Sequence, residues 1–237
     1  MTAIPAGSNP GVVALIPARS GSKGVVSKNL QLVNGVSLLE RAVRCASAVP
    51  TIDKIIVSSD CDKALQLGSS LGALKHKRSL EASSDTSTAN DVVKEVVSDF
   101  ALPEDTVLVY LQPTNPFRAS ETVRRAVSAH LEHRSPVVGV TPLKQLPSKA
   151  LKIDSDGMTA AYSEGNSLSG NRQDAQAGCY PNGALYVFSV IQFRGQGIPV
   201  AKARPLIMSI SESLDIDELA DLEFANSIAP CVEKLLK

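Results

Sequence analysis

The chain reads as a doubly wound α/β fold built on a mostly parallel sheet. Two observations predict it. Short apolar runs alternate with helical patterns along the first 140 residues, and the first run breaks at once into a glycine-bearing loop. Strand–helix alternation of this kind gives a parallel sheet covered by helices on both faces. In such sheets ligands sit beyond the carboxyl ends of the strands, so the loops after the strands are where chemistry is sought.

The strands are expected at Val12–Ile16, Lys54–Ser58, Val107–Leu111 and Val137–Val140, with a later one at Ala184–Phe188. The first four are short and apolar, as strands buried on both faces require. Helical spacing places helices at Leu38–Ala48, Cys61–Leu71, Ala89–Phe100 and Ser120–His133. Asp60 is placed to cap the second with its carboxylate. Ser120, Glu121 and Thr122 make a start for the fourth. Residues 141–180 are polar and irregular, with Pro142, Pro147, Gly157, Gly165 and Gly170. A stretch of that length buries little core of its own, so it reads as an excursion from the sheet rather than a domain. A helix from about Glu218 to Ile228 closes the fold. Residues 1–10 read as a flexible leader, leaving one domain over 11–237.

Bulk numbers narrow the function. The 237 residues are 43% hydrophobic and 20% charged, which suits an ordinary globule. A formal net charge of zero argues against a nucleic-acid binder with a basic surface, but not against a small anionic ligand. Cys45, Cys61, Cys179 and Cys231 are scattered without a CxxC pair, so neither a disulfide nor a zinc site is expected from them, and a reducing cytoplasm suits them. His130 and His133 read as surface histidines rather than a metal pair. No apolar run reaches membrane-spanning length, and the first ten residues lack a secretory pattern.

Four segments carry chemistry. The loop after the first strand holds Arg19, Lys23 and Lys28 among Ser20, Gly21, Ser22 and Gly24, and ends in Asn29. Small residues let backbone N–H groups approach a ligand, and the cations supply countercharge for a polyphosphate. The loop contains neither a Walker motif nor a GxGxxG fingerprint. The second segment, Leu111 to Arg118, sets Gln112 and Thr114 at a strand end between stiffening prolines. The third is Leu214-Asp215-Ile216-Asp217, where alternation puts both carboxylates on one side. Taken alone it reads more simply as an N-cap at Asp217 with an acidic first turn. Beside a polyphosphate loop, the pair reads as a Mg²⁺ holder. The fourth runs from Asn171 to Tyr186 and offers Arg172 and Gln173, then Asn182 and Tyr186. An arginine suits a carboxylate there, and amide and phenol groups suit hydroxyls.

In their order these segments resemble the CMP-N-acylneuraminate synthetases, which are cytidylyltransferases. ProAlaArgSerGlySerLysGly followed by LysAsn is similar to that family's IPARGGSKG-x-x-x-KN, with Ser20 in place of a glycine. LeuGlnProThr-x-Pro-x-Arg, ArgGln, AsnGlyAla-x-Tyr and AspIleAsp match further family elements, so the resemblance spans Val12 to about Ala229. The family's LeuPro after its arginine is replaced by Asp174-Ala175-Gln176, and Ser79 stands where a proline usually follows Arg78. The resemblance implies a nucleotidyltransferase that joins CTP to a nine-carbon 2-keto sugar acid and releases pyrophosphate. It implies triphosphate contacts from Arg19, Ser22, Lys23, Lys28 and Asn29, and nucleotide contacts from Arg78 and Asp85. It implies acceptor contacts from Gln112, Thr114, Lys149, Arg172, Gln173, Asn182 and Tyr186, and Mg²⁺ on Asp215 and Asp217. Arg19, Lys23, Asp215 and Asp217 would carry the catalysis. A homodimer is implied too, with the excursion making the contact and completing the sugar site. Other acid sugars (legionaminate, 3-deoxy-manno-octulosonate) and a non-catalytic nucleotide-binding regulator remain as alternatives.

Overall fold

A run of five apolar residues can be buried on both faces only at the centre of a covered sheet, and that is where the first strand lies. The computed structural model describes residues 11–21, 24–84, 86–143, 147–162 and 178–235. β1 (Val12–Pro17) is followed by the basic loop and a 3-10 turn at Lys28–Leu30. β2 (Leu32–Val33) and β3 (Val36–Ser37) form a hairpin whose turn, Asn34-Gly35, has positive φ at both residues, as a tight hairpin turn requires. α1 (Leu38–Ser47) is capped by Ser37, whose hydroxyl accepts from the Glu40 N–H. β4 (Lys54–Ser59) leads to α2 (Asp62–Ser70), and β5 (Leu74–Lys77) to the short α3 (Leu80–Ser83). α4 (Ala89–Asp99) opens with a capping box formed by Thr88 and Asp91. β6 (Val107–Tyr110), α5 (Ser120–His133) and β7 (Val137–Pro142) follow.

The excursion contains a hairpin of β8 (Leu151–Ile153) and β9 (Thr159–Ala161). The long β10 (Cys179–Ser189) re-enters the sheet. α6 (Val190–Gln196), β11 (Arg204–Ile207) and α7 (Leu219–Leu235) complete the chain. α7 continues past the expected end at Ile228 and contains Pro230. Its length is held by packing: Leu222, Ala225, Ala229 and Val232 bury against Val33, Leu38 and Ile216.

The seven-stranded sheet has the order β11-β7-β10-β6-β1-β4-β5. All its pairings are parallel except those of β10, which runs antiparallel to both β6 and β7. Alternate residues of β1 enter opposite cores, as strand periodicity dictates. Ala14 and Ile16 pack toward α1, α2 and α5, while Val13 and Leu15 pack toward α4 and α6. The chain therefore winds in both directions from β1. It moves outward to β4 and β5, then returns to β6 on the other side, which makes the β1/β6 gap a topological switch point.

Two local expectations are corrected. Asp60 does not cap α2: its carboxylate takes the Ser20 backbone N–H at 2.7 Å and the Ser20 hydroxyl as well. The start of α2 is held instead by the Ser59 hydroxyl, which accepts from the Cys61 N–H at 2.9 Å. His130 is not a surface residue. It is 2% exposed, faces the core from α5, and its Nδ1 meets the Ser135 carbonyl at 2.8 Å. Burial pushes its pKa down.

Candidate active site

A cleft of about 280 Å³ opens at the switch point. Pro17 and Arg19 line it from the loop after β1, and Lys28 and Asn29 from the 3-10 turn. Gln112, Pro113 and Thr114 come from the loop after β6, Tyr110 from β6 itself, and Arg78 from the end of β5. The N-terminus of α4 closes the far wall with Ser87, Thr88 and Ala89. That end carries the positive pole of the helix dipole and unsatisfied N–H groups. The Ser87 hydroxyl is buried there without a partner.

Each wall is braced from behind. Asn29 donates to the Arg19 carbonyl at 2.9 Å and so folds the basic loop back on itself. The Arg78 Nε donates to the Ser58 hydroxyl at 2.9 Å. Burial pulls the Arg78 pKa down, while Tyr110, Asp60 and Glu95 act against that. Tyr110 is pushed up to about 12, chiefly by burial, so its phenol keeps its proton. Its ring meets Tyr186 edge-on across the β6–β10 ladder, with centroids 6.2 Å apart.

The acidic segment is clamped residue by residue. The Ile216 N–H donates to the Thr114 carbonyl at 3.0 Å, and Asn115 Nδ2 to the Leu214 carbonyl at 3.1 Å. Ile216 is wholly buried and anchors the turn. Upstream, the buried Glu212 accepts from the Ala119 N–H and the Thr122 hydroxyl with one oxygen, and from the Ser209 N–H and hydroxyl with the other. It ties the entry to α5 down through the Ala119 N–H and the Thr122 hydroxyl, where Ala119 offers no side-chain cap. Arg118 lies fully inside and donates to the Gln112 carbonyl at 3.0 Å and the Ala184 carbonyl at 2.7 Å. One guanidinium thus ties the Gln112 loop to β10.

The two carboxylates end in different environments. Asp217 is exposed and accepts from Lys28 Nζ at 2.9 Å. Among the described residues no α7 N–H donates to its carboxylate; the entry to α7 is held instead by Asp221, which accepts from the N–H groups of Asp217 and Glu218 at 2.9 Å each. Asp215 is half-buried, and among the described residues its Oδ1 is buried with no hydrogen-bond partner within reach, the nearby Thr114 hydroxyl being likewise unpaired. Burial raises its pKa and Asp217 adds to the rise, while Thr114 and Lys28 act against it. An orphaned carboxylate oxygen beside a second carboxylate is a donor set suited to a hard divalent cation such as Mg²⁺.

β10 is bulged at this point. Pro181 faces Val140 but Tyr186 faces Val138, so the intervening residues loop out of register. Gly183 sits in the bulge at φ +76°, where a Cβ would lie 3.4 Å from Gln112 Oε1 and 3.8 Å from Asp215 Oδ2. Gln112 and Asp215 therefore flank one glycine. Tyr186, whose pKa is raised by burial and by Asp215, stands beside them. On the other side of Asp215 a second cleft of about 390 Å³ is lined by Thr141, Leu143, Tyr180, Ile210 and Ser213, among others.

Arg19, Lys28, Asn29, Arg78, Gln112 and Thr114 meet in the first cleft, and Asp215, Asp217 and Tyr186 border it. Asn182 turns inward instead. Its Nδ2 donates to the Ser213 hydroxyl at 2.9 Å and its Oδ1 accepts from the Ala184 N–H, so it braces the bulge. Lys149 is exposed on a 3-10 turn and lines neither cleft. Ser22, Lys23, Asp85, Arg172 and Gln173 lie outside the described residues. Sequence reasoning missed Tyr110, Ser87, Thr88 and Glu212. The strand-end position of Tyr110, next to Leu111-Gln112, was an available signal, and so was the Ser209-x-x-Glu212 spacing of a capping box, though not the tie from Glu212 to α5.

Comparison with known proteins follows the same lines. Residues 13–227 match the cytidylyltransferase family. A CMP-N,N'-diacetyllegionaminic acid synthase of Legionella pneumophila is 34% identical over 226 residues, covering 89% of this chain and 92% of that one. An N-acylneuraminate cytidylyltransferase of Escherichia coli is 30% identical over 92% of this chain but only 52% of its own length. The chain thus spans nearly all of the first relative and about half of the second. A CTP-complexed CMP:2-keto-3-deoxy-manno-octonic acid synthetase has the same fold, with a TM-score of 0.69 and 14% identity, covering 93% of this chain and 99% of that one.

Proposed function

Because the chain belongs to the cytidylyltransferase family and is by that membership a nucleotidyltransferase, we propose that it transfers CMP from CTP to the anomeric hydroxyl of a nine-carbon 2-keto sugar acid, either an N-acylneuraminate or a close relative. The observation that carries this reading is the Lys28–Asp217 contact of 2.9 Å, which joins a cation of the phosphate loop to the carboxylate pair at the mouth of the cleft. Polyphosphate and metal ligands then share one edge.

In this reading Arg19 and Lys28, with Ser22 and Lys23, neutralise the triphosphate, and the α4 N-terminus adds fixed partial charge. Asn29 holds the loop closed. Arg78 and Asp85 take the nucleotide's base side, with the Tyr110 phenol as a neutral donor. Gln112, Thr114 and Tyr186 seat the acceptor over Asp215, and its chain extends toward the second cleft. Lys149, Arg172 and Gln173 add contacts to the sugar acid, and Asn182 keeps the bulge in shape.

Asp215 and Asp217 hold Mg²⁺, which when bound offsets negative charge on the phosphates. Lys28 is freed from Asp217 as the nucleotide arrives and turns to the phosphate oxygens. One carboxylate of the pair, through an oxygen not committed to the metal, takes the proton of the anomeric hydroxyl. The sugar oxygen bonds to the α-phosphorus, the α–β bridging bond breaks, and its electron pair leaves with pyrophosphate. Most of the rate gain comes from positioning and charge stabilisation.

The protein works as a cytoplasmic homodimer in this reading. Support comes from its unpaired cysteines and from the exposed Ile153, Met158, Tyr162 and Ile207 on the excursion hairpin and the edge strand β11, a surface that a second copy would cover. No helix among the described residues is long and apolar enough to cross a membrane.

The test is pyrophosphate release with CTP and Mg²⁺ against N-acetylneuraminate, N,N'-diacetyllegionaminate and 3-deoxy-manno-octulosonate, each component also tried alone. Release that requires CTP together with a nine-carbon acid is expected. Release with the eight-carbon acid alone would move the acceptor class. Silence across the panel with CTP binding intact would overturn this acceptor assignment and leave either an acceptor outside the panel or a nucleotide-binding regulator.

A further inference from the structure

At the sheet edge opposite β11, away from the carboxylate pair, three ligand-type side chains converge. His76 projects from β5 and is 3% exposed. Glu95 and Asp99 lie one turn apart on α4, which puts both on the same helix face. One ligand atom from each falls within 4.8 Å of the other two. His76 Nε2 is already 3.2 Å from Asp99 Oδ2, close to the edge of about 3.4 Å that a tetrahedral ion with bonds near 2.1 Å requires.

Protons alone do not satisfy this cluster. Glu95 Oε1 is occupied by the Ser79 N–H at 2.7 Å, but Glu95 Oε2 is buried without a partner. A proton on His76 Nε2 serves Asp99 and leaves that oxygen orphaned, at the cost of a buried, unpaired carboxylate lone pair. A divalent cation taken by one atom of each side chain would offset the charge of both carboxylates at once. The far side of the ring is arranged for this. His76 Nδ1 lies 2.9 Å from the Ser58 hydroxyl, which accepts from Arg78 Nε and has a second lone pair, so in the Nδ1-protonated tautomer the ring donates there and leaves the Nε2 lone pair for a metal. Asp99 is more than half exposed, and a groove beside it leaves room for a water as fourth ligand.

We propose that His76, Glu95 and Asp99 form a second metal site, selective for a borderline-soft divalent ion such as Zn²⁺. One imidazole and two carboxylates with an open fourth position suit Zn²⁺ better than Mg²⁺, which prefers oxygen ligands in octahedral geometry. The bound ion pins α4 to the edge strand β5. It also sits two hydrogen bonds from the nucleotide cleft, because Ser58 takes both His76 Nδ1 and Arg78 Nε. The site is a bracing element for the wall that carries Arg78 and the α4 N-terminus.

The test is Zn²⁺ titration of the full chain by calorimetry in excess Mg²⁺, with no nucleotide or sugar acid present, so its result does not depend on the proposed reaction. The expected result is a single strong Zn²⁺ site per chain that raises Tm and is weakened tenfold or more by Glu95→Gln and by Asp99→Asn. Asp217→Asn should leave it intact. Co²⁺ substitution should give d–d absorption without a thiolate charge-transfer band. If Glu95→Gln fails to fold, Asp99→Asn carries the test, because that side chain is half in solvent. Absence of a strong site, binding that survives Asp99→Asn, or a thiolate band would each overturn the proposal.

Discussion

The two clefts beside the acidic segment are built in opposite ways. The first cleft, where we propose the nucleotide binds, is made of short segments that each follow a parallel strand: Pro17 and Arg19 after β1, Arg78 after β5, and, on the border proposed to meet the acceptor, Gln112 to Thr114 after β6. The second, the proposed acceptor side, is made around the antiparallel β10 and its bulge, with Asp215 delivered by a separate loop. The first follows from the topology of the sheet. The second depends on a few buried polar clamps, Glu212, Arg118 and Asn182, that hold the loop and the bulge in place. Damage to the first kind of cleft should fall on binding, and damage to the second on turnover.

Asp215→Asn should produce the largest effect. Loss of a preorganised charged group lowers kcat by roughly 10²–10³-fold. Its stability effect should have the opposite sign. The folded pKa of Asp215 is raised by burial, so the stability this group contributes is present at low pH and is lost as pH rises through the raised value. At neutral pH the variant should therefore melt higher than the parent while turning over far more slowly. Turnover at saturating Mg²⁺ and a melting curve of the metal-free protein check both. A variant that is both inactive and less stable would remove the distinction between the two carboxylates.

Glu212→Gln tests the clamp. Four donors point at its two oxygens, and an amide would turn an NH₂ toward two of them. The expected cost is about 2–3 kcal/mol in denaturant unfolding, typical of a charged, buried acceptor lost. kcat should fall with CTP affinity nearly unchanged, because the clamp serves the acidic loop and not the nucleotide walls. A change in CTP affinity equal to that in kcat would show the two clefts to be one unit.

The same contrast decides what could be read in the sequence. The central strands and four long helices were legible because their apolar periodicity is local. β5, β11 and α6 were not: β5 and β11 are edge strands with exposed faces, and only His76 of β5 turns fully inward. The β2–β3 hairpin carried a readable Asn34-Gly35 signal. In the first cleft, Arg19 and Gln112 were legible because each closely follows a legible strand, and Lys28 because it ends the basic loop after β1, whereas Arg78 was legible only through the family resemblance. Around the bulge, Asn182 was legible as a residue but not as a brace, and Glu212 was missed although Ser209-x-x-Glu212 has capping-box spacing, because its link to Thr122, about 90 residues away, is set by the fold. Asp60 and His130 were misread for the same reason. Their partners, Ser20 and the Ser135 carbonyl, are set by the fold rather than by helical spacing.

Gly24→Ala would strike the seam between the two clefts. A Cβ there would lie 2.1 Å from the Asp217 carbonyl oxygen, and backbone cannot swing away as a side chain can. The phosphate loop and the acidic segment must separate, at about 1–3 kcal/mol by analogy with overpacking. KM for CTP and kcat should both worsen, unlike in Glu212→Gln. A variant with parental kinetics would mean that the two segments move independently.

Ser20→Gly is the smallest change and the sharpest test of the phosphate loop's rim. It restores the glycine common in the related loops and removes one of two hydrogen bonds to Asp60, while the backbone N–H remains. Burial opposes the charged form of Asp60, but the Ser20 bonds outweigh it and hold the pKa low. The stability this gives is present above the ordinary carboxylate range and is lost as pH falls through the depressed value. Since Asp60 is largely solvent-facing, screening keeps the cost of Ser20→Gly under about 1 kcal/mol. The variant should lose stability relative to the parent at neutral pH, with the gap closing at low pH. A constant gap across pH would place the effect in the loop's backbone freedom instead of in the Asp60 contact.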